Sequence, residues 1–288
     1  MLNRFLFKQY SKLVNLYQHQ IKAPVYEKKY REAFKKVPVY CFFIGYPRSG
    51  HTLIGSLLNA HPEVLISHEL HVLDLIDRGA SRNKIFAKII AQARWFSARG
   101  ERWTGYSYKV PGGYQGKFTQ LKVIGDKRGG ATSRTLYKNP KLLDQLIATI
   151  DKKIKVILIH RNPFDNITTR ARGGNYYQRN ASQKRLLHEI EQHFKDVEII
   201  ADIRKRKDLE FYECKHEDFL EEPRKHLENL CHFLEVPAYE NFISNTLKIV
   251  RKSKSKSRKK INWDPELIKK VQQKINQYDF LNGYTFNN

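Results

Sequence analysis

Val39-Tyr-Cys-Phe-Phe-Ile-Gly-Tyr-Pro-Arg-Ser-Gly-His-Thr-Leu-Ile-Gly-Ser-Leu-Leu-Asn-Ala-His-Pro62 is the stretch that decides the fold. Tyr40 to Ile44 are continuously apolar or aromatic, the pattern of a parallel strand covered on both faces. Gly45 to Gly50 form a turn whose backbone is set by Pro47 and the two glycines. Leu53, Ile54, Leu57 and Leu58 then recur at helical spacing. A glycine loop feeding a helix N-terminus directs free backbone N–H groups at one point. The helix dipole adds positive potential there, so the site suits a phosphate. A tight strand-to-helix connection without a ligand is the plain alternative.

The spacing Gly45-x-x-x-x-Gly50-x-Thr52 is nearly that of a nucleoside-triphosphate loop, but His51 stands where that loop carries its lysine. The cation lies inside the loop instead, at Arg48. A second motif, Ile159-His-Arg-Asn-Pro-Phe-Asp-Asn-Ile-Thr-Thr169, follows another apolar run, Lys155 to His160. Arg161 sits just beyond that expected strand, and Thr169 falls about two helical turns later on the same side. A guanidinium holds a phosphate through two hydrogen bonds and a hydroxyl adds a third.

Taken together, Tyr46-Pro-Arg-Ser-Gly-His-Thr-Leu53 and the Arg161 to Thr169 segment resemble the two phosphate motifs of sulfotransferases that use 3′-phosphoadenosine 5′-phosphosulfate (PAPS). The continuation Leu57-Leu-Asn-Ala-His-Pro-Glu-Val64 is most similar to the tyrosylprotein and bacterial branches. The resemblance implies an α/β fold with a mostly parallel central sheet, helices on both faces and a P-loop-like architecture. It implies that Arg48 and the N–H groups of Ser49, Gly50, His51 and Thr52 hold the 5′-phosphosulfate. Arg161 and Thr169 would hold the 3′-phosphate. By the same resemblance Glu69 is the base, with His68 and His71 beside it as alternatives. Glu69 also reads as a simple helix cap. Lys127 matches the family's second active-site lysine, although Arg128-Gly129 departs from the Asp-Pro or Thr-Pro found there. Phe211 to Pro223 resembles a further segment in which Tyr212 reaches the nucleotide, with core packing as its other reading. In the basic run Arg251 to Lys260, before Trp263, Ser257 and Arg258 match a loop that closes over the donor. No metal is implied.

The rest of the chain supports this frame. Its 288 residues are 41% hydrophobic, enough for one large α/β domain with a small appendage. Residues 1–36 read as an amphipathic helical extension ended by Pro24, with Tyr26 to Lys36 a charged connector or short helix, and 37–288 as the main domain. Strands are expected at Glu63 to Ser67, Leu121 to Gly125, Lys155 to His160 and Glu210 to Lys215. Helices are expected at 69–78, 82–98, 139–150, 181–205, 222–234 and 264–277, with another starting at Asn162-Pro163. Residues 99–120, which interleave Trp103, Tyr106, Tyr108 and Tyr114 with glycines, and residues 170–180 are the expected acceptor loops. Residues 251–263 are the basic closing loop.

Lys and Arg number 53 against 29 acids, a net charge of +24 that attracts polyanions without naming one. Three scattered cysteines, Cys41, Cys214 and Cys231, form no zinc or disulfide pattern. With no long apolar run or secretory leader pattern, the expectation is a soluble cytoplasmic protein, with peripheral membrane or partner contact open to residues 2–21. The expected activity is sulfuryl transfer to a hydroxyl of a glycan, a tyrosine or a small alcohol or phenol. The competing readings are a P-loop kinase and a basic non-catalytic binder of nucleotide, nucleic acid or membrane.

Overall fold

The computed structural model describes residues 14, 16–173, 181–251 and 256–288 of the chain. Five strands make the central sheet: β1 (Val39–Ile44), β2 (Val64–His68), β5 (Val123–Gly129), β6 (Lys153–His160) and β7 (Glu210–Lys215). Their order is β2-β5-β1-β6-β7, and every neighbouring pair is parallel. Two short strands, β3 (Arg102–Trp103) and β4 (Tyr106–Ser107), pair antiparallel as a separate hairpin.

Side-chain alternation assigns the two faces. Tyr40, Phe42 and Ile44 of β1 enter one core, and Val39, Cys41 and Phe43 the other. β6 divides in the same way, with Ile154, Val156 and Leu158 opposite to Ile157 and Ile159. The first core is covered by α1 (Ala23–Lys29), α2 (Arg31–Lys36), α4 (Val72–Asp77), α5 (Arg82–Ala98), α6 (Gly130–Lys138), α7 (Lys141–Ile150), α8 (Pro163–Ala171), α9 (Gln183–Ile203) and α13 (Pro265–Ile275). The second is covered by α3 (His51–Leu58), α10 (His216–Glu221), α11 (Pro223–Phe233) and α12 (Glu240–Leu247). A sheet buried on both faces demands the continuous apolar strands that the sequence carries.

Several boundaries differ from the sequence reading. β5 runs on to Gly129, so Asp126 and Lys127 lie within the strand and not in a loop beyond it. The cause is its inner position: β2 offers Ser67 and His68 opposite Asp126 and Lys127, and β1 offers Ile44 opposite Gly129. β2 likewise includes His68. Between Phe42 and Ile44 the β1–β5 register slips, β5 spending one more residue than β1, and Lys127 falls within that irregularity. The sequence pattern does not predict helices α6, α10 and α12.

Pro24 does not end a helix. It lies in the first turn of α1, and a π-helical turn at Tyr17–Lys22 leads directly into it, so the helical backbone runs on through the proline. Residues 26–36 are the helical α1 and α2 and not a connector. Tyr26 and Tyr30 lie 4.6 and 5.4 Å from the Arg94 guanidinium, and Phe34 packs edge-on to Phe86 at 5.5 Å. Most of the 2–21 segment lies outside the described residues, as do 174–180 of the 170–180 segment and 252–255 of the basic run. No described helix is long and apolar enough to cross a membrane.

β1 has β5 on one side and β6 on the other, and the chain reverses its direction of travel across the sheet there. Sheets of this kind bind ligands outside the carboxyl ends of the strands at such a reversal. The loops after β1 and β6 lie there.

Candidate functional site

The loop between β1 and α3 bends through left-handed backbone at Gly45, Arg48 and Gly50, with φ of +142°, +70° and +100°. A Cβ on Gly45 would stand 2.5 Å from the His51 ring, so glycine is required there. His51 thus turns inward. Its Nδ1 is 3.0 Å from Ser49 Oγ, which donates to the Tyr46 carbonyl at 2.9 Å. Burial lowers the His51 pKa to about 3, so the ring is neutral. The cation of the loop is Arg48, whose side chain is exposed.

Gly50 is the N-cap of α3 and supplies no side-chain acceptor. The first N–H groups of a helix have no intrahelical partner, so this terminus is open to an anion. Three braces fix the loop. Ser133 Oγ is 2.8 Å from both the N and the O of Gly45, Asn166 Nδ2 donates to the Pro47 carbonyl at 2.7 Å, and Arg161 donates to the Arg48 carbonyl at 2.7 Å.

A second group gathers beside Thr52. Lys127 Nζ donates to Thr52 Oγ1 at 3.1 Å and to Glu69 Oε1 at 3.0 Å. Lys127 is buried, and burial lowers its pKa while Glu69 opposes the shift. Glu69 and His71 both adopt left-handed backbone, φ +56° and +66°. Asp126 holds that turn, accepting from Ser67 Oγ at 2.7 Å, Leu70 N–H at 3.0 Å and His71 N–H at 3.2 Å. Burial raises the Asp126 pKa to about 6. His68 points elsewhere: its ring stacks on Phe96 at 3.9 Å and meets Trp103 edge-on, and burial lowers its pKa to about 2. His71 Nδ1 is 3.3 Å from Asp74.

A third group forms after β6. Arg161 has one guanidinium nitrogen on the Arg48 carbonyl and the other 3.4 Å from Ser257 Oγ. Thr169 Oγ1 is 3.2 Å from the same Ser257 oxygen and donates to the Asp165 carbonyl at 2.7 Å. Arg161, Thr169 and Ser257 are thus brought together. Two sequence candidates stand apart. Tyr212 is in mid-strand, its hydroxyl 2.9 Å from His226 Nδ1 and its ring against Phe233, which is the packing role. The Arg258 guanidinium faces Asp165 and the carbonyls of Phe286 and Asn288, not the Arg161–Thr169 cluster.

The 99–120 segment carries exposed Trp103, Tyr106 and Tyr114, and Arg251 lies 5.0 Å over the Tyr106 ring. The segment is anchored to α3. Ser56 donates to the buried Glu101 at 3.0 Å, and Gln115 bonds the Ser56 and Tyr108 carbonyls and the Val110 N–H. Burial raises the Glu101 pKa to about 7. Sequence reasoning missed Asp126, Glu101, Ser133 and Asn166. Asn166, inside the second motif, Asp126, beside Lys127, and Glu101, inside the 99–120 segment, had neighbours that marked them; Ser133 had none.

A protein-family model described as "Sulfotransferase family" matches residues 41–241. The sulfotransferase domain of the olefin synthase of Synechococcus PCC 7002 superposes with a TM-score of 0.50 and 19% identity, covering 85% of this chain and 96% of that one. A sulfotransferase of Mycobacterium avium gives a TM-score of 0.50 and 12% identity, covering 90% and 82%. At such identities the likeness concerns the fold. A search of curated protein sequences found no match. The family match spans most of the chain, from β1 into α12, and takes in the β1 loop, Glu69, Lys127, Arg161 and Thr169. This chain belongs to the sulfotransferase family.

Proposed function

We propose that the protein moves a sulfuryl group from PAPS to a hydroxyl acceptor. One observation carries this reading: two groups suited to anions stand at the carboxyl ends of adjacent strands and are joined by the Arg161 bond to the Arg48 carbonyl. The first is the open N-terminus of α3 with Arg48, and the second is Arg161 with Thr169 and Ser257. A nucleotide phosphorylated at both 5′ and 3′ positions engages both, whereas a nucleoside triphosphate engages only the first. The neutral, inward His51 also leaves the loop without the lysine that a kinase needs.

When bound, the donor supplies an activated sulfuryl group on its 5′-phosphate, leaving as adenosine 3′,5′-bisphosphate. Arg48, the N–H groups of Ser49 to Thr52 and the Thr52 hydroxyl would hold the 5′ end. Lys127, fixed against Thr52, brings a cation to the place where charge grows on the leaving phosphate. Glu69 takes the proton of the acceptor hydroxyl. His68 is too weakly basic and too enclosed for that task. The acceptor enters beside the 99–120 segment.

A thermal-shift comparison of adenosine 3′,5′-bisphosphate with AMP, ATP and Mg-ATP tests the donor. A ligand at 100 times its dissociation constant adds about 2.7 kcal/mol of stability. Selective stabilisation by the 3′,5′-bisphosphate is expected. Preference for Mg-ATP indicates a kinase, and salt-dependent binding without nucleotide preference indicates a non-catalytic binder.

A further inference from the structure

We infer that Arg258 and Asp165, with the backbone of residues 286–288, form a latch that positions Ser257 and so sets the preference for a nucleotide with a 3′-phosphate. The inference rests on the donor reading above.

Arg258 is the exception in its surroundings. Arg251, Lys256, Lys259 and Lys260 are exposed, whereas Arg258 is 2% exposed and ranks among the largest fully buried side chains. All three of its guanidinium nitrogens donate within the protein: to the Asp165 carboxylate, to the Phe286 carbonyl at 2.6 Å and to the Asn288 carbonyl. Its backbone N–H donates to the other Asp165 oxygen at 2.8 Å. Asp165 lies in the first turn of α8, where the helix dipole favours a carboxylate. Asn162, the N-cap of α8, ties the same chain segment down through the Thr285 and Asn288 carbonyls at 2.9 and 3.0 Å.

Ser257 is therefore followed directly by a residue fixed to α8. Further on, Trp263 Nε1 donates to Thr168 Oγ1 of α8 at 3.1 Å. A basic run left to itself is a solvated loop. Here one buried ion pair turns it onto the helix that also carries Thr169, and the Ser257 hydroxyl arrives within reach of both Arg161 and Thr169. Arg258 on this view touches no ligand; it is a positioning residue, and Ser257 makes the contact.

The test measures dissociation constants of adenosine 3′,5′-bisphosphate and AMP by calorimetry, for wild type, Arg258→Met, Arg258→Lys and Asp165→Asn. Arg258→Met and Asp165→Asn should each lower the ratio of the two affinities at least tenfold while AMP binding stays within about twofold. Arg258→Lys, which keeps the charge and one bond to Asp165, should recover part of the ratio. An unchanged ratio in Arg258→Met overturns the latch, as does an equal weakening of both nucleotides, which marks a purely structural role. Should Arg258→Met fail to fold because it strands a buried carboxylate, the neutral pair Asp165→Asn with Arg258→Met removes that charge and must show the same lowered ratio. A wild type that does not distinguish the two nucleotides defeats the donor reading itself, a different result from either.

Discussion

Lys127 is bonded to Glu69 across 3.0 Å, and the same ammonium reaches the Thr52 hydroxyl, so one buried side chain joins the first turn of α3 to the turn after β2. The Lys127 side chain is 4% exposed and that of Glu69 34%. Glu69 is therefore the member of the pair that meets solvent, and on the proposed function the one an incoming acceptor would meet, while Lys127 holds it from the buried side.

Glu69→Gln keeps the shape of the side chain and removes the carboxylate proposed as the base. Transfer should fall by about 10²- to 10⁴-fold, the usual worth of a positioned base, with the nucleotide dissociation constant little changed. Initial rates at saturating donor, read beside calorimetry, check this. Intact transfer moves the base to His71 or Lys127.

Asp126 acts on the same turn from behind. In Asp126→Asn one acceptor oxygen becomes an NH₂ donor, and one of the Ser67, Leu70 or His71 donors loses its partner. An unpaired buried donor costs about 1–3 kcal/mol. The midpoint of thermal unfolding should drop by several degrees. The transfer rate should drop as well, because Glu69 and His71 no longer have their left-handed backbone held. A variant that melts lower but transfers normally shows that the turn needs no such brace.

Arg161→Ala removes the guanidinium shared by the Arg48 carbonyl and the Ser257 hydroxyl. Hydrogen bonds to charged groups contribute about 1.5–3 kcal/mol, so binding of the 3′,5′-bisphosphate should weaken by roughly 10- to 150-fold. AMP should lose much less. Equal losses for both nucleotides place Arg161 in the brace of the loop alone.

Glu101 gives the protein a pH dependence that can be isolated. Burial raises its folded-state pKa from the ordinary 4.5 to about 7. Between those values the folded chain holds a proton that the unfolded chain has released. The stability tied to the neutral carboxyl is full below about pH 4.5 and is lost as pH rises through about 7. A shift of this size corresponds to up to about 3 kcal/mol. Glu101→Gln removes the titration while keeping a partner for Ser56. The variant should match wild type near pH 4.5 and unfold on the order of 5 °C higher at pH 8. Parallel melting curves across that range exclude the assignment.

What the sequence by itself determined is local. The apolar run of β1, the glycine turn and the helix that follows are contiguous, so their order states a buried parallel strand turning tightly into a helix. Arg161 and Thr169 share one strand end and one helix, and their spacing alone puts them on one side. The tertiary structure decided what depends on distant partners. Lys127 and Glu69 are 58 residues apart, and their meeting follows from β2 and β5 lying side by side, which no local pattern encodes. Arg258 and Asp165 are 93 apart, and from sequence Arg258 is one cation in a basic run. Only packing shows that it is buried and that its neighbour Ser257 is the group facing Arg161. A residue's type limits the bonds it can make, but its burial and its partners are properties of the folded chain, and these decide whether it contacts a ligand or holds the residue that does.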